Sequence, residues 1–199
     1  MQQPFHSLPL RQLDRGIRYA RPKQQLPRRI TPNDPALSVM TDLCQITAVT
    51  IELSTPLSKA MDLMIQRGIR ILLVCDAADS ILGVITSRDL NGEKAKRIMA
   101  KAGCAYDDLL VSDVMTLRPK LEVMMMEEVL VAKVGDIIAT LRQVNRQHAL
   151  VLDTDPETDI PAIRGIFSLA EIGVRLGLNI NPSRQPTTYA ELEKAGATL

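Results

Sequence analysis

The chain has 199 residues, and its 24 Lys and Arg balance 23 Asp and Glu. That length can bury a core of ordinary size, as one domain or as two small ones that share surface. The three cysteines, Cys44, Cys75 and Cys104, are odd in number, far apart and without a C-x-x-C pair, which speaks against a disulfide framework or a zinc site and fits a reducing compartment. No apolar run approaches the roughly 20 residues needed to cross a bilayer, and no charged start is followed by a continuous apolar stretch, so the expectation is a cytoplasmic protein with no membrane association.

In chain order, residues 1–35 read as a basic, proline-bearing arm. In its first thirty residues Arg11, Arg15, Arg18, Arg21, Lys23, Arg28 and Arg29 face Asp14 alone, and a charge run of this kind reads as a solvated tail before it reads as a nucleic-acid or partner contact. Leu8, Leu10 and Leu13 are available to anchor it, and His6 within it has no evident partner. Two units with the same order of signals follow. VMT occurs at 39–41 and at 114–116. The helical spacing Leu57, Ala60, Met61, Met64 returns as Val134, Ile137, Ile138, Leu141, predicting two amphipathic helices with buried stripes.

Gly68 marks the first helix exit. Each helix gives way to a β-rich run ending in aspartate, ILLVCD at 71–76 and HALVLD at 148–153, then a turn, then ILGVIT or IRGIFS. An amphipathic helix closes each unit, SRDLNGEKAKRIMAKAG in the first and LAEIGVRLGLN in the second. The predicted fold is therefore α+β: two repeats of strand, helix, strand, strand, helix, at 36–103 and 104–180, with a tail at 181–199. Units of this size cannot cover both faces of their own sheets, so the two are expected to pack sheet to sheet with pseudo-two-fold symmetry.

The repeated end of the second strand carries the chemistry. GVITSRD (83–89) and GIFSLAE (165–171) share the order glycine, two apolar residues, hydroxyl, two spacers, acid. Thr86-x-x-Asp89 and Ser168-x-x-Glu171 are capping boxes by pattern. The duplicated glycine-strand context sets a ligand-facing hydroxyl and carboxylate beside the cap for Thr86 and Asp89, while Ser168 and Glu171 read first as a cap. Both readings stand at this point. Met124 to Met126 read as core fillers, and His148 as a hydrogen-bonded strand-end residue, since no nucleophile or metal-ligand pattern surrounds it.

Two units that open with VMT and close with this motif resemble a tandem pair of cystathionine β-synthase (CBS) domains, a Bateman module, over about residues 36–180. The resemblance implies a cleft between repeats that binds an adenosine-containing ligand: AMP, ADP, ATP, S-adenosylmethionine or NAD. It implies that Asp89 accepts from ribose hydroxyls, that Thr86 contacts phosphate or ribose, and that Thr50, Ile51, Val84 and Ile85 enclose the base. Arg70 and Arg88 would supply positive charge to phosphate.

The second copy departs from the pattern: Glu171 is one methylene longer than aspartate, Glu127 falls opposite Thr50, and Gln147 falls opposite Arg70. One competent site built mainly from the first repeat is therefore expected, with a weaker second site at His148, Ile166, Ser168 and Glu171.

No G-x-S-x-G, H-E-x-x-H, Walker loop or Cys/His cluster occurs, so neither catalysis, nor a catalytic cofactor, nor a metal is expected. The resemblance implies a regulatory, ligand-sensing module, homodimeric, that signals to an effector protein. The alternative from another class is a ligand-free interaction protein that uses its basic arm to bind protein or RNA, although nucleic acid is the less expected partner.

Overall fold

The computed structural model describes residues 30–155 and 158–177. The basic arm up to residue 29 and the tail at 181–199 lie outside the described residues. From its start the chain runs through β1 (Thr41–Asp42), β2 (Thr50–Ile51), α1 (Leu57–Arg67), β3 (Ile71–Cys75), β4 (Ile81–Thr86), α2 (Ser87–Asn91) and α3 (Glu93–Ala102). It continues through α4 (Val111–Val114), β5 (Thr116–Leu117), β6 (Val123–Met125), α5 (Met126–Val131), α6 (Val134–Gln143), β7 (His148–Thr154), β8 (Pro161–Ser168) and α7 (Leu169–Leu176). The predicted α+β class and the two repeats of strand, helix, strand, strand, helix are present.

The unbroken apolar run of β3 follows from its being covered on both faces. Leu72 and Val74 point to one side, where they meet Leu57, Ala60 and Met64 of α1 and Ile85 of β4. Leu73 and Cys75 point to the other, where they meet Val84 of the adjacent β4 and Leu150 from the facing sheet. The second repeat repeats this division: Val151 and Phe167 join Val134, Ile137, Ile138 and Leu141 of α6, while Leu150 and Ile166 face the first sheet. Three apolar layers result, one under each set of helices and one between the sheets. Each fully buried Leu, Ile or Phe in them contributes about 1.5–3 kcal/mol.

The sheets are not made from the repeats alone. Their orders are β2-β3-β4-β5 and β1-β8-β7-β6. The strand that leads into the first repeat thus closes the sheet of the second, and the strand that leads into the second closes the sheet of the first. The flanking chain follows suit. Leu57 N–H donates to Leu109 O and Val111 N–H to Thr55 O, both at 2.9 Å. Ala36 N–H donates to Ala132 O and Val134 N–H to Asp34 O, also at 2.9 Å. The VMT segments are these crossing points: Val39 and Met40 are buried in the second repeat's core, and Val114 and Met115 in the first's.

Close approach at the crossings explains the two motif glycines. Gly83 pairs with Leu117 and Gly165 with Asp42. A Cβ on Gly83 would strike the backbone carbonyl of Thr116, whereas one on Gly165 would strike only the flexible side chain of Met40. One crossing carries an added clasp. Arg164 donates to Asp42 through Nε at 2.8 Å and Nη2 at 2.9 Å, a two-point pair that fixes β1 on β8. The Arg164 hydrogen bond, with a second from Cys44 N–H, holds the Asp42 carboxyl at about 2, below the usual carboxylate range.

Two local expectations are revised. The helix expected to run unbroken from Ser87 past Lys101 is two helices, because Gly92 adopts an extended backbone (φ −85°, ψ 174°) that ends α2 and starts α3. The offset that set Glu127 opposite Thr50 also fails: Thr50 pairs with Leu73 as Val123 pairs with Leu150, so Val123 is the equivalent of Thr50. Additional residues before α6 form the short helix α5, which was not foreseen.

Gly83→Ala should cost about 1–3 kcal/mol of unfolding free energy, since a rigid carbonyl stands in its way, and Gly165→Ala less than that, since a methionine can yield. Urea unfolding of the two variants checks the order; equal losses would contradict the backbone-contact account. The Asp42 clasp sets a second expectation. A carboxyl whose folded pKa is depressed stabilises above its unfolded pKa, about 3.9, and loses that stabilisation as pH falls through about 2. Arg164→Met should abolish this part of the acid dependence between pH 4 and 2, measured by thermal melts against pH.

Candidate functional site

The hydrophobic inter-sheet layer opens at its edges into a crevice with three parts. One pocket, about 190 Å³, contains Thr86, Arg88 and Asp89 from the end of β4 and the start of α2, Thr116 from β5, and Gln147 and His148 from the start of β7. A second, about 330 Å³, contains Ser168, Ala170 and Glu171 from the end of β8 and the start of α7, Thr41 from β1, and Arg70 and Ile71 from the start of β3. These sets correspond residue by residue. Thr86 matches Ser168, Asp89 matches Glu171, Thr116 matches Thr41, Gln147 matches Arg70, and His148 matches Ile71. The pockets are therefore the two pseudo-two-fold copies of one site.

A third chamber, about 840 Å³, lies toward the hairpin turns and contains Thr50, Cys75, Arg118 and Val123. It shares Leu43, Thr47, Ala48 and Leu73 with the Glu171 pocket and Leu121 and Leu150 with the Asp89 pocket. The pockets are polar where the helices start, and the chamber, which also holds Asp79, Ser80 and Arg118, is lined mainly by apolar residues. That distribution suits a ligand with a flat apolar ring and a hydrophilic end.

The motif residues do what a capping box requires and keep something in reserve. Thr86 N–H and Oγ1–H both donate to Asp89 Oδ2, at 2.8 and 2.6 Å, and Asp89 N–H donates to Thr86 Oγ1 at 3.4 Å. Asp89 Oδ1 accepts no bond from the described residues, so the cap engages one carboxylate oxygen and leaves the other at the pocket. Ser168 Oγ accepts weakly from Glu171 N–H at 3.5 Å. Glu171 does not return the bond; its Oε1 accepts from Arg175 Nε at 2.9 Å, one helical turn on, and Arg175 Nη1 donates to Ser38 O at 2.8 Å. The longer side chain has exchanged its cap for an ion pair.

The cations differ between the pockets. At the Asp89 pocket Arg146 pairs with Glu122 at 2.7 Å, and Arg88 Nη1 donates to Asn145 O across the crevice at 3.4 Å. At the Glu171 pocket Arg175 is held by Glu171, while the Arg70 guanidinium has no hydrogen-bond or ion-pair partner among the described residues. His148 belongs to both pockets. Burial first, then the charges of Arg70 and Arg88, hold its imidazole down at about 4, so it is neutral at pH 7. The hydrogen bond expected for it is absent: its ring has no partner among the described residues.

The structure gathers Val84, Thr86, Arg88 and Asp89 in one pocket and Arg70, Ile166, Ser168 and Glu171 in the other. Arg70, expected beside Asp89, thus faces Glu171. Ile51 and Ile85, expected to enclose the base, are buried against α1 in the first helix-side core, because strand alternation turns them away from the crevice. Thr50 lines the third chamber. Thr41 and Thr116 were not singled out as site residues, although the duplicated VMT held them; Thr47 and Ala48 carried no repeated signal.

Comparison with known proteins agrees with this build. A family model described as CBS domain matches residues 38–96. No curated protein sequence matches the chain. Among solved structures, an uncharacterized conserved protein from Pyrococcus horikoshii is similar at a TM-score of 0.52 and 20% identity, covering 80% of this chain and 99% of that one. The CBS domain NE2398 is similar at a TM-score of 0.50 and 20% identity, covering 70% and 94%. At such identity the likeness speaks for the fold alone. Residues 38–96 match the CBS-domain model, and with the second repeat they form a two-unit fold similar to that of these structures.

Proposed function

We propose that the chain is a ligand-sensing regulatory module without catalysis of its own, which takes an adenosine-containing ligand in the crevice between its repeats. The observation that carries this reading is the pair of symmetry-related pockets, each with a hydroxyl and a carboxylate at a strand end and each sharing lining residues with a mainly apolar chamber. Purine, ribose and phosphate ask for those three environments in that order: an apolar slot, a carboxylate acceptor for vicinal hydroxyls, and donors at a helix start. AMP, ADP, ATP, S-adenosylmethionine and NAD share the first two needs and differ at the third.

The proposed principal site is the Glu171 pocket. The sequence favoured the Asp89 side, but the Asp89 pocket, at about 190 Å³, falls below the usual range for ligand sites, about 300–1,000 Å³. The Glu171 pocket, at about 330 Å³, falls within it, shares Leu43, Thr47, Ala48 and Leu73 with the larger chamber, and contains Arg70, which has no partner among the described residues. Asp89 serves a second, tighter position through its Oδ1.

Because each pocket draws on the cap of one repeat and the lead-in of the other, a bound ligand favours one relative setting of the repeats, which an effector protein or a second copy can read. Exposed Ile65 on α1 and Val174 on α7 provide apolar surface for homodimerisation. The reading places the protein in the cytoplasm, where the candidate ligands occur.

Thermal melts with each candidate ligand test this. A ligand at one hundred times its Kd adds about 2.7 kcal/mol, or about 5–10 °C for a chain of this size. Arg70→Ala should weaken the phosphate-bearing ligands about tenfold or more, the worth of a charged hydrogen bond, and leave adenosine unchanged. No response to any of the five, or a response indifferent to Arg70→Ala and Asp89→Ala alike, would overturn the reading.

A further inference from the structure

His148 stands where the two pockets meet. It opens β7, pairs across the ladder with Ser168, and so lies beside the start of α7. Its repeat equivalent, Ile71, opens β3 and pairs with Thr86 beside the start of α2. Ile71 and His148 both line the two pockets, and of the two only His148 can ionise. The repeat symmetry is broken there, at the centre, by an imidazole with no hydrogen-bond partner among the described residues.

The charged groups around it are identifiable from every side. Arg88 and Asp89 face it from the start of α2, Glu122 from the segment after β5, and Arg146 from the turn before β7. Arg70 faces it from the turn before β3, and Glu171 and Arg175 from α7. Two pairs cancel internally, Arg146 with Glu122 at 2.7 Å and Arg175 with Glu171 at 2.9 Å. Asp89 is committed through Oδ2 to its own helix start. Arg70 and Arg88 remain as the repelling cations.

We propose that the Glu171 pocket takes up an anion and a proton together: a phosphate or sulfate group seated against Arg70 draws its second donor from His148, which becomes imidazolium as the anion enters. No covalent bond changes; one proton moves from solvent to the imidazole. The proposal deepens the nucleotide reading by naming how the phosphate end is held, and rests on it only for what carries the phosphate.

The sign follows from the electrostatics. In the free chain burial and the two arginines keep His148 neutral down to about pH 4. An anion offsets the charge of Arg70 and accepts from the protonated ring, both of which favour the charged form. Between the free and the bound titration points, binding consumes a proton, so affinity rises as pH falls. At the Asp89 pocket the place of Arg70 is taken by the uncharged Gln147 and Arg88 already donates to Asn145 O, so the effect is assigned to the Glu171 side.

A phosphate monoester itself gains a proton near pH 6, so sulfate, whose charge is constant across the range, is the probe. The imidazole resonances of the full chain are followed against pH with sodium sulfate and with sodium chloride at equal ionic strength. His148→Asn distinguishes His148 from His6, the chain's other histidine. Sulfate should raise the His148 titration point by about one pH unit or more, and its affinity should rise about tenfold per pH unit at the steepest, the limit for uptake of one proton.

His148→Asn should flatten that dependence, and Arg70→Met should remove the sulfate effect on His148. A His148 titration that sulfate leaves in place, or a pH dependence that persists in His148→Asn, would overturn the proposal. AMP run alongside separates the two readings. AMP that binds without moving His148 keeps the nucleotide site and sinks the linkage; sulfate that moves His148 while AMP and the other candidates do nothing keeps the linkage and sinks the nucleotide site.

Discussion

The structure depends on an exchange of strands. Each repeat is a half-covered sheet whose outer strand is supplied by the chain leading into the other repeat, so neither sheet is complete without both. The hydrogen bonds of β1 to β8 and β5 to β4 satisfy edges that would otherwise be open to pairing with other chains. The inter-sheet apolar layer of Leu73, Val84 and Leu150 then has no alternative partner. Glycine at 83 is a condition of that exchange, since the backbone of Thr116 passes where a side chain would begin.

Exchange also makes the site. A hydroxyl and an acid at a helix start are a local cap, and Thr86 with Asp89 closes one fully. They become the wall of a pocket only because the other repeat's lead-in, with Thr116 or Thr41, is laid beside them. Symmetry then doubles the pocket, and side-chain chemistry makes the copies unequal. Aspartate at 89 caps with one oxygen and spares the other. Glutamate at 171 reaches past its own N-terminus to Arg175. The clasp of Arg164 on Asp42 has no counterpart at the other crossing, where Leu117 is the equivalent of Asp42, so the two crossings also differ in polarity.

Much of this was legible before the structure. The helix stripes, the middle strands and the duplicated motif depend on local periodicity, which is written in adjacent residues. The exchange was not legible, because two-residue strands such as Thr41–Asp42 have no period to detect and their partner lies more than a hundred residues away. Ile51 and Ile85 were placed at the crevice by the family resemblance, and an apolar strand buried on both faces does not itself reveal which residues point which way; burial against α1 decides it. The split at Gly92 was announced by a glycine inside a helical pattern, a signal that is ambiguous alone. The exit of α6 was disguised because Asn145 adopts there the left-handed backbone (φ 51°) that Gly68 adopts after α1 (φ 64°), a substitution asparagine tolerates.

A site formed by exchanged parts is bound to report on the parts' arrangement. A ligand touching only one repeat would bind equally well however the repeats were set, and equal affinity for two states shifts no equilibrium. Here every polar wall of a pocket faces a wall from the other repeat: Ser168 and Glu171 oppose Arg70, and Asp89 opposes Gln147 and His148. The inter-sheet layer has fewer buried residues (Leu73, Cys75, Val84 and Leu150) than either helix-side core. The layer that joins the repeats is thus the smallest of the three, and the pockets lie at its edges. Under the proposed reading, a ligand seated there would touch both repeats at once, the condition for differential affinity between two settings of them.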